Sequence, residues 1–526
     1  MIDIAVTQSR EHTNREVVEN QLTSDSGKPV SDVLGEIHTL LGRLGESRIE
    51  PVAYDTAWVA RLGHVDSELA AQALEWLRTH QLPDGSWGAL TPLYHHDRVI
   101  STLAALIALV LNGAPEDQQR IRAALPALQY SLANLDEDIA GRTVAFEMLL
   151  PSLVAEAKTL GLTIDDPDDV VYNMARLRDA KLAQAPKGMI SRTTTMGHSA
   201  EMVGTDGLQL LDVNNLQQED GSVSSSPAAT AFFVAHVSPD PAALEYLHRI
   251  IQDGGASSIT PIENFERSWG LWNIVHAGAI DKTLLPLIRA SLDKLESAWR
   301  PNRGLAVNNN FLLEDGDDTA VLTELCARDG RATDLTAIWS FENQHHFRSY
   351  VLESHSSVTT NIHFLGALRQ TGAELEHPAV QKIIKYLYSE RSDEGFWTDK
   401  WHSSPYYATS HAIIACTGYL YELVNVGVEW MIATQNPDGS WGFVGQTAEE
   451  TAYCLQALMS WYKQGLQVPK QVLTRGAAWL IQRTAPPYPP LWLHKTLYCP
   501  TLIVQSAILG ALQQYECEFG APYQHS

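Results

Sequence analysis

The chain is 526 residues long, 45% hydrophobic, and carries a formal net charge of −25 with a pI near 5.1. Its length and apolar content leave room for roughly two to four domains with sizeable cores. The acidity, with no basic run or stripe, excludes a nucleic-acid binder, so an anionic substrate would need cations or a metal concentrated locally.

In chain order, residues 1–29 are polar and lack the apolar core of a signal peptide, so they are expected to form a tail. Beyond them, segments of helical period alternate with Gly/Pro/Asp turns. Examples are "SELAAQALEWLRTH" (67–80), "AALEYLHRIIQ" (242–252), "EETAYCLQALMSWYKQ" (449–464) and "TRGAAWLIQR" (474–483). Almost nothing alternates as a strand would, and the spacing predicts an all-α protein of repeated helical hairpins. The longest apolar run, "ISTLAALIALVL" (100–111), is too short to span a bilayer. The five cysteines (326, 416, 454, 499 and 517) are scattered and never in CxxC spacing. That excludes a disulfide scaffold and a zinc site and fits a soluble protein of a reducing cytoplasm.

A weak internal repeat runs through the chain. "WLRTHQLPDGSWG" (76–88) returns as "WMIATQNPDGSWG" (430–442), with degraded copies in "LQQEDGSV" (216–223) and "DEGFW" (393–397). Each copy is built on an Asp-Gly or Glu-Gly turn, and in the full copies the turn follows a helix end and a Gln and is closed by a Trp that can pack back on that helix. Repeats of this kind staple neighbouring hairpins into a solenoid or a ring.

The stretch "FLLEDGDDTA" (311–320) crowds Glu314, Asp315, Asp317 and Asp318 beside apolar residues. One explanation is local: a helix from about Asp317 to Arg328, with acids in its first turn and Gly330 after its end. The other is chemical, because burial and neighbouring carboxylates both raise a carboxyl pKa and keep a proton available.

The surrounding residues are similar to the class II terpene cyclases that make bicyclic prenyl diphosphates. "PVAYDTAWVARL" (51–62) resembles the opening signature of plant copalyl diphosphate synthases. "QLPDGSWG", "FEMLLPSL" (146–153), "AKLAQAPKGMI" (180–190), "HSAEM" (198–202), "DGSVSSSPAATAF" (221–233) and "ALEYLHRII" (243–251) continue the match in order. "DGDDTA" then fits the family's DxDD acid motif, while "WTDKWHSSPYYATSHA" (397–412) and "LWLHKTLYCP" (491–500) resemble the bacterial branch. The resemblance covers residues 35 to 515, approximately.

It implies two α/α barrels, called β and γ, with the active site between them and no class I domain. The boundaries expected are a tail at 1–29, the first β helix at 30–62, an inserted γ barrel at 63–275 and the remainder of β at 276–526. "DDPDD" (165–169) satisfies the class I metal motif DDxxD literally, but Pro167 would break a helix there. It is read as a loop leading into a helix from Val170, so the diphosphate is expected to survive in the product.

The resemblance further implies a class II diterpene cyclase that protonates geranylgeranyl diphosphate and closes it to a bicyclic labdane-, halimane- or clerodane-type diphosphate. Asp317 would be the proton donor, supported by Asp315 and Asp318. His363 aligns with a position near the acid or the terminal proton-transfer site, Asn361 lies two residues before it, and Tyr498 aligns with a position near the deprotonation end. Glu137, with Asp136 and Asp138, aligns with an acidic Mg²⁺ motif, and Lys181 with a diphosphate-binding lysine; Lys400 is a second candidate. For Glu137 the alternative is a solvated acidic loop, and for His363, Asn361 and Tyr498 an ordinary structural hydrogen bond.

Synthases of the ent-copalyl type pair a histidine with an asparagine to hold a water as final base. Here His198 is kept and Ser258 stands where the asparagine would be, which argues for a different end to the reaction. The alternatives are a farnesyl diphosphate cyclase making a drimenyl-type diphosphate, a longer triterpene cyclase, and a non-cyclising α/α-barrel binding or prenyltransferase-type subunit. A separate class I synthase or a phosphatase is the expected recipient of the product.

Overall fold

Two rings of helices build the protein, each closed by inner helices that are apolar on nearly every face. The structure, a computed structural model, describes residues 32–520 apart from 184, 279, 352 and 354, so the 1–29 tail lies outside the described residues. In the larger ring the inner helices are Glu263–His276, Gly316–Arg328, Val358–Gln370, Pro405–Cys416, Ala448–Lys463 and Thr501–Phe519, each packed on the next and the last on the first. "PYYATSHAIIAC" of Pro405–Cys416 is buried along its whole length, as a helix walled in on all sides must be. Outer helices such as Pro378–Glu390 and Lys470–Leu480 bury one face only. The smaller ring closes through Ala53–Ala60, His95–Asn112, Phe146–Thr159, the 3-10 segment Thr195–Val203 and Pro227–His236. This is the all-α pair of barrels expected from the sequence.

The repeated turns act as staples. Trp87, Trp397 and Trp441 are fully buried, and each donates its indole N–H to a carbonyl of the preceding helix: Leu77 at 2.8 Å, Leu387 at 2.8 Å and Met431 at 2.7 Å. Gln81 and Gln435 reach across to carbonyls of the next outer helix, Arg120 and Val472. Gly85 has φ +92°, and a Cβ there would lie 2.4 Å from the Ala123 carbonyl oxygen, so the turn requires glycine.

Packing moves both expected domain boundaries. The helix Ala53–Ala60, expected with the β barrel in 30–62, has Tyr54, Ala57 and Trp58 in the core of the smaller ring. The helix Glu263–His276, expected inside 63–275, puts Trp269, Leu271 and Trp272 in the core of the larger one. The crossings fall instead near residues 50 and 258. Glu266 explains the first of these. Its carboxylate accepts the N–H groups of Gly45, Ser47 and Arg48 at 2.7–3.0 Å, pinning the turn after Val33–Arg43 to the larger ring.

One element has no counterpart in the helical periodicity. "WLHKTLY" forms a short antiparallel hairpin in which Trp492 pairs with Tyr498 and Leu493 with Leu497. It belongs to the β part of the chain, yet its tip enters the γ barrel. Lys495 is fully buried there, donating to Glu201 at 2.5 Å and to Ser226 at 2.8 Å. Tyr54 donates to the same Glu201 oxygen at 2.9 Å.

Candidate active site

Between the barrels lies a cavity of about 750 Å³, walled by residues of both rings and by the hairpin. Its buried end is made by the start of the helix Gly316–Arg328. Asp315 is the N-cap, its Oδ1 accepting from the N–H of Asp317 at 2.7 Å and of Asp318 at 3.3 Å. Gly316 packs so closely that a Cβ would lie 2.3 Å from the Arg348 carbonyl oxygen. One carboxyl thus caps the helix, as the local explanation has it, and all three face the cavity.

The three carboxyls are 1–7% exposed. Burial, then the Asp317 carboxylate, pushes Asp315 up to about 7, against a weaker pull from the Tyr350 hydroxyl. Burial, followed by Asp315 and Asp317, holds Asp318 well above the usual carboxylate range. Asp317 is the member with a basic partner. Its Oδ1 makes a short contact with His363 Nδ1, and His363 Nε2 lies 2.8 Å from His411 Nδ1. His411 stacks on Trp272 with ring centroids 4.3 Å apart, and burial holds it well below the usual histidine range.

The middle of the cavity is aromatic. Trp269 packs against Phe265 at 4.7 Å and donates its N–H to the Tyr407 hydroxyl at 3.0 Å; Tyr407 and Phe265 both meet Trp492, at 5.1 and 5.4 Å. Such faces stabilise a passing cation by about 0.5–2 kcal/mol each without offering it a lone pair. Tyr498 joins this wall beside Trp492.

The opposite end is open and cationic. Lys181 and Lys400 line it, as does the exposed Arg142. Each lysine holds a carboxylate: Lys181 meets Glu147 at 2.5 Å, and Lys400 meets Glu353 at 2.6 Å. Glu353 Oε1 is buried without a hydrogen-bond partner.

Several expected site residues stand elsewhere. Asn361 does not line the cavity; its amide is saturated by the backbone of Phe347 and Ser357, where it ties a loop to its helix. Ser258 is fully buried and off the cavity wall. The Asp136–Glu137–Asp138 turn is also outside the cavity. Asp138 caps the helix His95–Asn112 through the N–H groups of His95 and His96, and Glu137 is a largely exposed partner of His95. In "DDPDD", Asp166 caps the helix Val170–Leu182 by accepting from Val171 and Tyr172, a structural duty.

No cluster of three or more His, Cys, Asp or Glu placed to hold a metal exists among the described residues. Mg²⁺ commonly needs only one or two carboxylates plus substrate phosphates. The acidic turn does not offer that set at the cavity. Glu147 and Glu353 do, and the unpartnered Oε1 of Glu353 suits a hard cation.

Comparison with known proteins agrees with this architecture. Residues 348–487 match the squalene-hopene cyclase C-terminal domain. The chain is 42% identical over 485 residues to a type B diterpene cyclase of Mycobacterium tuberculosis, covering 88% of this chain and 95% of that one. It is 30% identical to a copalyl diphosphate synthase of Streptomyces cyslabdanicus, over 88% of this chain and 92% of the relative. The solved ent-copalyl diphosphate synthase of Streptomyces platensis superposes with a TM-score of 0.76 at 29% identity, covering 92% and 99% of the two chains. The chain belongs to the bacterial class II diterpene cyclases, enzymes of the intramolecular lyase or isomerase type.

Proposed function

We propose that the protein cyclises geranylgeranyl diphosphate to a bicyclic diphosphate by protonating its terminal alkene. The observation that carries this is the polarity of the cavity: a buried carboxyl trio at one end, cations at the other and aromatic rings between. The diphosphate sits among Arg142, Lys181 and Lys400, and the hydrocarbon runs inward to Asp317. Glu147 and Glu353 would hold Mg²⁺ there, which when bound supplies counter-charge to the diphosphate. Each lysine contributes a point charge to a phosphate oxygen.

Protonating an isolated alkene needs an acid kept from water, which would otherwise level it and trap the cation. His411, neutral, gives its Nδ1–H to His363 Nε2. In this tautomer the His363 proton is on Nδ1, where it donates to Asp317 Oδ1. A donor on one oxygen makes the hydroxyl on the other, Oδ2, more acidic. The proton leaves Asp317 Oδ2 for the alkene, and two ring closures move the charge along the aromatic wall. The diphosphate is retained, and the product passes to a class I synthase or a phosphatase in the same cytoplasm.

Incubation of the protein and Mg²⁺ with geranylgeranyl or farnesyl diphosphate, then dephosphorylation and mass spectrometry, tests the assignment. A bicyclic C20 alcohol supports it; a C15 product from farnesyl diphosphate alone, or no cyclised product, overturns it. Because the trio must carry a proton, and burial with the neighbouring carboxylates raises Asp315 and Asp318 above the usual carboxylate range, kcat/KM should be retained at mildly acidic pH and decline as pH rises above neutrality. A rate that rises through neutral pH would contradict a carboxylic-acid donor. Lys181→Ala should raise KM about tenfold with a smaller change in kcat, since a partly exposed cation gives about 1–2 kcal/mol to ground state and transition state alike. Steady-state kinetics would show the split.

A further inference from the structure

Where the hairpin meets the γ barrel, His198 Nε2, Ser224 Oγ, His494 Nδ1 and Thr496 Oγ1 are among the polar atoms buried without partners. Buried polar groups are almost always hydrogen-bonded, so a group of orphans marks a place for a water or a reacting group. His198 and His494 both line the cavity, and their rings meet edge to face at 4.3 Å. His198 Nδ1 lies 2.7 Å from the Ser224 carbonyl, which can only accept, so the proton is on Nδ1 and the lone pair on Nε2. His494 is held by its backbone, the carbonyl accepting from Val144 at 2.8 Å and the N–H donating to Thr496 at 2.9 Å.

Resting on the cyclase assignment, we propose that His494 is a catalytic residue of the quenching step. With His198 it forms a paired-imidazole site that takes the final proton from the bicyclic cation. In that step a C–H bond beside the cationic carbon breaks, its electron pair becomes the new C=C bond, and the proton bonds to an imidazole nitrogen directly or through one bound water. Charge is conserved: cation and neutral imidazole give neutral alkene and imidazolium, and the proton passes to solvent when the product leaves.

The surroundings fit this role. Burial holds both imidazoles low, His494 at about 3, with the Lys495 ammonium adding to the effect, so their lone pairs are free throughout the neutral range. A weak base suffices, because a proton beside a carbocation is far more acidic than any side chain. The same buried ammonium disfavours the imidazolium and so promotes release of the proton before the next turnover. Tyr498, 6.1 Å from His494 between ring centroids, is a further polar group near by, and its phenol offers a poorer lone pair than imidazole.

The test compares His494→Phe, which keeps the ring and its packing, with His494→Asn, which keeps a polar group. Both are assayed with geranylgeranyl diphosphate and Mg²⁺ in H₂¹⁸O, with thermal melts as a check on folding. In His494→Phe the wild-type product should fall below half of the total, replaced by double-bond isomers or an ¹⁸O-labelled alcohol. Substrate consumption should drop no more than about tenfold. A difference of ~1.4 kcal/mol between two exits shifts their ratio tenfold, so losing one acceptor is enough. His494→Asn should give an intermediate distribution, and it decides the matter alone if the Phe variant does not fold. An unchanged single product in the folded variants overturns the proposal, and so does loss of all consumption, which would place His494 in binding or protonation. If the wild-type protein itself cyclises nothing, the cyclase assignment has failed instead.

Discussion

Asp317→Asn is expected to lower cyclisation by a factor on the order of 10³–10⁴ or more while the melting temperature stays within a few degrees. General acid catalysis accounts for about 10²–10⁴ in most enzymes, and here protonation starts the whole reaction. The substitution is nearly isosteric, and the helix cap belongs to Asp315, so the fold has little to lose. Asp317 is distinguished from its neighbours by geometry. All three carboxyls reach the cavity, but only Asp317 is linked to the His363–His411 pair, which can orient its proton. Single-turnover conversion with excess enzyme, followed by mass spectrometry, would detect residual activity. A variant within tenfold of the wild type would remove Asp317 from the donor role.

How much of this could be read from the sequence depended on the range of the interaction. Helical period, the "PDGSWG" staples and the DGDD helix start are local, and they located the barrels and the acid. Lys181 and Lys400 stand in colinear motifs and do line the open end. Arg142, Glu147 and Glu353 were missed as a group, because two stretches far apart in the chain converge there; Glu147 stands in the colinear "FEMLLPSL" but had no role assigned to it, and Arg142 and Glu353 carry no pattern of their own. The acidic turn at 136–138 had the better motif, yet Asp138 is consumed by a helix cap, a duty that composition does not distinguish from metal binding. Asn361 shows the same ambiguity, since a buried amide bonded to backbone looks like a catalytic one in sequence. The domain boundaries slipped by about a helix at each end, because apolar spacing says that a helix is buried and not in which core. His494 and Lys495 lie in a stretch too short to show strand alternation, so neither the hairpin nor its insertion had a periodic signal.

That insertion makes Lys495 a residue whose loss should cost much in stability. Its ammonium and the Glu201 carboxylate are both fully removed from water; Tyr54 donates to the same Glu201 oxygen and Ser226 accepts from the ammonium, while Glu201 Oε2 is buried without a partner. Replacing Lys495 by Met removes one charge and leaves the other buried without a counter-ion, a change that costs about 3–5 kcal/mol in comparable pairs. The pair joins the hairpin of the β part to the γ barrel, so the loss falls on the contact between barrels as well as on each core. Lys495→Met should therefore lower the melting temperature by several degrees or more and lower cyclisation, because the cavity wall on the hairpin side would shift. Adding Glu201→Gln to this variant should recover part of the stability, since the stranded charge is gone. The control is Glu201→Gln alone, which strands the ammonium and should also destabilise. If Lys495→Met melts with the wild type, the buried pair contributes nothing to joining the barrels; if the double variant is less stable than Lys495→Met, the penalty comes from lost packing and not from an unpaired charge.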